Sequence, residues 1–219
     1  MIENEQTDLL RESWEATCFK YTSNAVIIAE EFTNIISRYQ EPHRHYHNCQ
    51  HILELLDLIM EYTAEEYHDI HIFTAFYHDV VYEPGYTDNE IKSAEFAVKS
   101  LEKLGVPVDI IQAVEEIILA TQKHEWLGEN IPNQLTIFLD IDRVILGAKP
   151  ERFQEYCRQI RAEFSHFPDE IFIPARVSFL NGLIISEKIF FTSVISQVFE
   201  NQLIDNVNNE ILKFNTLGF

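Results

Sequence analysis

The chain has 219 residues and carries 36 acidic against 16 basic side chains, which gives a formal net charge of −20 at pH 7. This excess of negative charge disfavours duplex nucleic acid and anionic membrane surfaces as partners. Hydrophobic residues make up 46% of the chain, with only 6 Gly and 7 Pro, so a disordered chain and a loop-rich β fold are both disfavoured.

The compartment is predicted from the N-terminus and the cysteines. The N-terminal sequence is acidic and lacks the layout of a signal peptide, and no apolar run approaches the roughly 18 residues that cross a bilayer. Cys18, Cys49 and Cys157 match neither a disulfide framework nor a paired zinc motif. We therefore expect one cytoplasmic domain in a reducing compartment.

Helical periodicity dominates the first half of the chain. Apolar residues recur at threes and fours over residues 11–38, which predicts an amphipathic helix with a break near Thr22–Asn24. Asn48 is the predicted N-cap of the next helix. The stretch from Asp69 to Tyr82 is unusually apolar, so we expect a central helix there, closed by Pro84-Gly85.

Further helices are predicted to the end of the chain. Asp88 and Asp109 are the expected caps of the next two, and a loop is expected over residues 125–134. The remaining predicted helices are Leu135–Leu146, Glu151–Phe164, Ile171–Ile195 and a short tail, in which residues 201–209 pack loosely. Residues 171–195 form either a core helix or a homodimer face. The sequence thus predicts an all-α fold, a single helical bundle of about eight or nine helices over residues 1–219.

The nine histidines are unevenly distributed, and one of them lies beside an aspartate in an apolar setting. His78-Asp79 falls within the apolar run FTAFYHDVVY, where a buried polar pair is costly unless its charge and hydrogen bonds are satisfied. A bound metal ion satisfies both. The earlier Tyr67-His68-Asp69 is interpreted as a solvated turn. The other histidines that we expect at the surface or in loops are His43, His45, His68, His71 and His166.

Two more carboxylates lie in an apolar run, at Asp140 and Asp142 of TIFLDIDRVIL. Residues two apart on a helix point in different directions, so at most one of them faces a site squarely. If Leu139, Ile141 and Ile145 pack inward, Asp142 is the better placed, and Asp140 remains the alternative.

These residues resemble the HD-domain superfamily of metal-dependent phosphohydrolases, whose pattern is a His, a His-Asp pair and a later Asp. The resemblance is closest to an uncharacterised bacterial group of predicted hydrolases and covers about residues 38–190, with C-terminal helices appended. It is carried by six motifs in order: Arg44–Ile52, Ala75–Tyr82, Asn89–Ala94, Thr121–His124, Asp140–Gly147 and Tyr156–Glu163.

The resemblance implies one divalent ion (Mn, Mg, Ni, Zn or Fe) in an HD-type bundle. The implied ligands are His51, His78, Asp79 and Asp142, with His47 as the alternative to His51. His78 and Asp79 are also the implied catalytic residues, Asp79 orienting a water molecule. The ion would activate that water and polarise a phosphoryl oxygen.

The implied function is hydrolysis of a small phosphorylated metabolite or nucleotide. Candidate phosphate contacts are Arg44, Lys123, Arg143 and Arg161, since guanidinium groups match phosphate oxygens. Further supporting positions are His47, Asn89, Glu90 and Asp140, together with His124, which in some relatives supports a second metal or contacts phosphate. The alternatives are a di-iron oxygenase of the same superfamily and a non-catalytic ligand-binding helical module.

Overall fold

The computed structural model describes residues 2–123, 133–186 and 188–216, and every regular element in these ranges is helical. The predicted all-α class is therefore confirmed, with ten α-helices in the described ranges where about eight or nine were expected. They are α1 (Ile2–Cys18), α2 (Ala25–Tyr39), α3 (Cys49–Tyr62), α4 (His68–Tyr77), α5 (Asn89–Lys103), α6 (Val108–Thr121), α7 (Asn133–Arg143), α8 (Pro150–Glu163), α9 (Asp169–Ile185) and α10 (Ser193–Thr216). Short 3-10 helices lie at Glu65–Tyr67 and Val144–Gly147.

The chain divides into two compact units, Met1–Leu139 and Asp140–Phe219. The first contains α1 to α6 and most of α7, and the second contains the end of α7 together with α8, α9 and α10. The single domain expected from the sequence stays a prediction. Across the described ranges, no helix combines the length and apolarity that a bilayer crossing requires.

Polar caps set the first helix boundaries as the sequence predicts. The long amphipathic segment breaks between α1 and α2, where the Asn24 side chain accepts hydrogen bonds from the backbone N–H groups of Val26 and Ile27. Asn48 caps α3 in the same way, accepting from the N–H of Gln50. The first helix nevertheless begins at Ile2, well before the predicted start at residue 11.

Helix α4 is central to the first unit, as predicted from its apolar sequence. It packs against α1, α3, α5 and α6, and all of its residues from His71 to Tyr77 are buried. Its predicted end was wrong, because the helix stops at Tyr77 and not at Tyr82. Beyond it, the carbonyls of Asp79 and Val80 accept hydrogen bonds from Arg44, so they are held by a side chain from outside the helix.

Trp14 of α1 joins α4 to the start of the chain. Its indole N–H donates to the carbonyl of Ile28 at 3.0 Å, so the buried ring has its one polar group satisfied. Its ring meets those of Phe73, Phe76 and Tyr77 edge to face, with centroids 5.2 to 6.0 Å apart. This aromatic cluster fixes the position of α4 in the core.

A buried polar chain holds the last residue of α4 from another direction. The Tyr77 hydroxyl donates to Ser100 Oγ of α5 at 2.7 Å, and Ser100 in turn donates to the carboxylate of Glu31 in α2. Lys103 Nζ balances the charge of Glu31 at 3.1 Å. The Tyr77 hydroxyl, the Ser100 hydroxyl and the Glu31 carboxylate therefore all have partners, as buried polar groups require.

In the second unit, α10 packs on α9 and on the 3-10 segment Val144–Gly147. A Cβ at Gly147 would lie 2.5 Å from the Phe199 carbonyl oxygen, so glycine permits this close approach. Asn206 donates from its side-chain nitrogen to the carbonyls of Leu146 and Ala148. The loosely packed tail predicted over residues 201–209 was therefore wrong, because α10 is well packed along that stretch.

The predicted long helix Ile171–Ile195 was also wrong, since α9 ends at Ile185 and α10 begins at Ser193. The carboxylate of Asp140 accepts hydrogen bonds from the N–H groups of Phe191 and Thr192 just before α10. Helix α9 buries Leu180 on one side and exposes Phe179 on the other, so it has a core face as well as an exposed apolar face. A dimer through that exposed face stays a prediction.

Replacing Trp14 with alanine should lower the free energy of unfolding by about 3–5 kcal/mol, because it leaves a cavity beside three aromatic rings and frees the carbonyl of Ile28. Chemical denaturation followed by circular dichroism measures this loss. Phe19→Ala is the control, since Phe19 is 51% exposed, and it should cost less than about 1 kcal/mol. Equal losses in the two variants would contradict the central role of the Trp14 cluster.

Candidate metal centre

Two helices of the first unit bring histidines together. His51 is the third residue of α3 and is 2% exposed, and His78 directly follows the last residue of α4 and is 1% exposed. Helices α3 and α4 pack against each other, so both imidazoles enter the same buried space. Asp79 follows His78 on the segment that leaves α4.

The three side chains converge as metal ligands do. Asp79 Oδ2 lies 2.9 Å from His78 Nε2 and 3.9 Å from His51 Nε2, and the two imidazole nitrogens are 3.2 Å apart. All three candidate ligand atoms fall within 4.8 Å of one another. With ligand distances of about 2.1 Å, adjacent donors around a cation stand roughly 3.0–3.4 Å apart. Two of the three distances are close to this range, and the third, 3.9 Å between His51 Nε2 and Asp79 Oδ2, is wider, so one ion would be bound with a small inward shift of these side chains.

The hydrogen bonding of His78 supports the same fit. Its Nδ1 lies 3.1 Å from the carbonyl oxygen of Ala75, which can only accept, so a proton on Nδ1 would leave the lone pair of Nε2 for a cation in the cluster. A backbone carbonyl on the far ring nitrogen is a usual partner of a metal-binding histidine. A cation between the two Nε2 atoms and the Asp79 carboxylate would accept a lone pair from each of the three groups.

His47 lies at the edge of the cluster. Its Nε2 is 4.0 Å from Asp79 Oδ2, and its ring packs on Tyr82 with the centroids 4.2 Å apart. Its side chain is 19% exposed, against 2% for His51, so it is the more accessible of the two imidazoles. The structure thus brings His47 beside the cluster, and its role as ligand or supporting residue stays a prediction.

Arg44 lies beneath the cluster with its side chain fully buried. Its guanidinium donates to the backbone carbonyls of His47, Asp79 and Val80 and pairs with Glu41. A phosphate group would have to compete with these bonds. The structure therefore favours a supporting role over the predicted phosphate contact.

Asn89, at the start of α5, holds the loop beside the cluster. Its side-chain oxygen accepts from the N–H of Glu83, and its side-chain nitrogen donates to the carbonyl of the same residue. Glu90, the next residue, is half-buried. Asn89 thus fixes the loop after the His-Asp segment, which is consistent with the supporting role expected for it.

The two candidate aspartates lie in the second unit. Asp140 is 1% exposed and accepts from the N–H groups of Phe191 and Thr192 and from the Thr192 hydroxyl at 2.6 Å. Burial raises the pKa of Asp140, and these hydrogen bonds oppose the shift. The oxygens of Asp140 already accept hydrogen bonds from the backbone before α10. Asp142 is therefore the better candidate ligand. Its placement relative to the His51–His78–Asp79 cluster stays a prediction.

The other predicted phosphate contacts bind protein groups within the second unit. Arg143 donates to the carbonyl of Ile189 at 2.8 Å, and Arg161 pairs with Asp169 at 2.7 Å while donating to the carbonyls of Phe164 and Phe167. In the first unit, Lys123 is exposed. His124 and residues 125–132 of the predicted loop lie outside the described residues.

Two expectations about the remaining histidines need correction. His71 was predicted at the surface, but it is fully buried in α4, with Nε2 2.8 Å from the carbonyl of Gln134 and its ring stacked on Phe138. The helical period carried the signal, since His71 lies four residues before the buried Ala75. The predicted solvated turn at Tyr67-His68-Asp69 is also wrong, because His68 and Asp69 begin α4 and the half-buried Asp69 carboxylate accepts from Lys20 and Tyr21.

No protein-family model matches the chain, and no curated protein or solved structure gives a match either.

Burial lowers the pKa of His71 to about 4, from an ordinary value of 6.5. The unfolded chain therefore gains a proton at this site before the folded chain does, so its contribution to stability is complete above pH 6.5 and declines as the pH falls toward 4. Between pH 7 and pH 5 the wild type should lose about 2 kcal/mol more unfolding free energy than His71→Gln, which does not titrate there. Urea denaturation at both pH values measures the difference, and equal losses would place a protonated imidazole at this site.

Proposed function

We propose that the chain is a metal-dependent phosphohydrolase whose ion is held by His51, His78 and Asp79, with Asp142 as the fourth ligand. The observation that supports it is the convergence of three donor atoms within 4.8 Å, two from buried imidazoles and one from a half-buried carboxylate. These donors suit a first-row divalent cation, since imidazole and carboxylate are its usual protein ligands. The resemblance to the HD-domain superfamily supports the reaction class.

A bound divalent cation supplies Lewis acidity toward a phosphoryl oxygen and lowers the pKa of a nearby water molecule. The chain's own residues would do the rest. Asp79 offers a second carboxylate oxygen with which to accept a hydrogen bond from the attacking water and direct it. With Nε2 on the ion, the protonated Nδ1 of His78 would donate to the Ala75 carbonyl, and the more exposed His47 would face the arriving substrate.

The overall charge of −20 restricts the substrate that we propose. A long polyanion would meet repulsion from many carboxylates, whereas a small phosphate ester can be accommodated where the local potential is set by one cation. A small phosphorylated metabolite or a mononucleotide carries few charges and is short enough to remain near that cation. The substrate that we propose is therefore a small phosphate ester.

The first test is metal binding. Chelator-treated protein equilibrated with Mn²⁺ or Zn²⁺ should retain one ion per chain after dialysis, measured by elemental analysis. His51→Ala, His78→Ala and Asp79→Asn should each weaken binding by more than the roughly 10- to 100-fold that loss of a partner beyond the ligands costs. His45→Ala is the matched control, because His45 is exposed and lies outside the cluster, and it should bind like the wild type.

The same metal-binding measurement decides which of the two aspartates is a ligand. Asp142→Asn should weaken binding, whereas Asp140→Asn should leave the affinity unchanged and lower the unfolding temperature, since it disturbs the hydrogen bonds to Phe191 and Thr192. The reverse result would make Asp140 the ligand. Unchanged binding in both variants would confine the site to the three residues of the first unit.

The second test is catalysis. Metal-loaded protein should release phosphate from members of a panel of phosphomonoesters and mononucleotides, and Asp79→Asn should reduce kcat at least about 100-fold, as loss of a water-directing carboxylate does. A wild type that binds its ion but releases no phosphate would support the metal site and contradict the hydrolase function. Equal rates for the wild type and Asp79→Asn would attribute the activity to a contaminant.

A further inference from the structure

We propose that Arg44 is the positioning residue of the His51–His78–Asp79 cluster, fixing the direction of the Asp79 carboxylate through the backbone. This inference rests on the proposed metal site. The sequence suggests an arginine that meets a phosphate, but the structure directs its donors elsewhere. The side chain reaches two chain segments that lie far apart in sequence and joins them beneath the cluster.

The bonding is concentrated on one guanidinium. Nη1 donates to the carbonyl oxygens of both His47, at 3.2 Å, and Asp79, at 2.7 Å, while Nη2 donates to that of Val80 at 3.2 Å. One nitrogen atom thus links the segment that leads into α3 with the segment that leaves α4. The first segment leads into the helix that carries His51, and the second carries the His78-Asp79 pair.

The surroundings of Arg44 make this arrangement specific. The side chain has no exposed surface, and a buried cation is costly unless its donors are satisfied. Glu41 supplies the counter-charge at 3.1 Å, and the guanidinium lies over the rings of Tyr39 and Tyr82 at 5.0 and 5.4 Å from their centroids. A planar fork can reach three carbonyls and a carboxylate at once, whereas the ammonium of lysine is a single point of charge.

The effect on the cluster follows from where α4 ends. Asp79 lies beyond the helix, and Arg44 donates a hydrogen bond of 2.7 Å to its backbone carbonyl. The direction of the Asp79 side chain is set by that backbone, and a small rotation would carry Oδ2 away from the two imidazoles. Loss of the guanidinium therefore disturbs the donor geometry while the helices remain packed.

The test compares Arg44→Lys and Arg44→Met with the same changes at Arg38, a half-buried arginine that lies over the Phe96 ring. Co²⁺ is titrated into each metal-free protein, and its affinity and visible absorption spectrum are recorded beside the urea midpoint of the metal-free form. Arg44→Lys should fold, bind Co²⁺ about 10- to 100-fold more weakly and show a shifted spectrum. Arg44→Met should show a larger loss, and both Arg38 variants should match the wild type.

Three results would overturn the proposal. Wild-type affinity and spectrum in Arg44→Lys would show that the guanidinium does not set the donor geometry. Loss of the folded state in Arg44→Lys would make Arg44 a residue of the fold and not of the site. A wild type that binds no Co²⁺, Mn²⁺ or Zn²⁺ would remove the metal site and this inference with it, and that outcome is distinct from selective failure at Arg44.

Discussion

Two imidazole nitrogens and a carboxylate oxygen face one another in a buried space at the end of α4, and this arrangement constrains the region around it. Lone pairs brought together away from water are unfavourable unless a proton or a cation lies between them. Three neighbouring groups hold the residues of the cluster in position. The Ala75 carbonyl holds the outer nitrogen of His78, Arg44 holds the backbone of Asp79, and the Asn48 cap begins the helix that carries His51.

The site lies where α4 ends. The backbone N–H of His78 still donates to the Thr74 carbonyl, so His78 keeps a helical conformation directly after the last residue of α4. Its Nε2 lies 2.9 Å from Oδ2 of Asp79, the next residue. The helix therefore ends at the His-Asp pair and not at Tyr82, where the apolar sequence predicts its end.

The successful predictions rest on local chemistry. Apolar periodicity and side-chain caps lie within a few residues of the structure that they determine, which is why the break before α2, the Asn48 cap and the central position of α4 could be predicted. The burial context of His78 also separated it correctly from His68. The fold class followed from the same periodicity, because few Gly and Pro residues interrupt it.

The failures share a different cause, which is contact between distant parts of the chain. The carbonyls beyond α4 are held by Arg44, 35 residues before Asp79. The burial of His71 depends on a carbonyl 63 residues away, and Asp140 bonds the backbone before α10 from 51 and 52 residues away. Periodicity within a window carries no information about such partners, so the end of α4 and the division between α9 and α10 could not be predicted from it.

The position of α4 has a consequence for how the molecule opens. Proteins unfold locally from their edges, and the segments with the most buried contacts open last. Helix α4 is surrounded by α1, α3, α5 and α6, and its final turn is joined through Tyr77 to Ser100 and Glu31. The His-Asp pair thus adjoins the part of the first unit whose amide protons should exchange most slowly, so fluctuations of the outer helices would leave the donors of α4 in place.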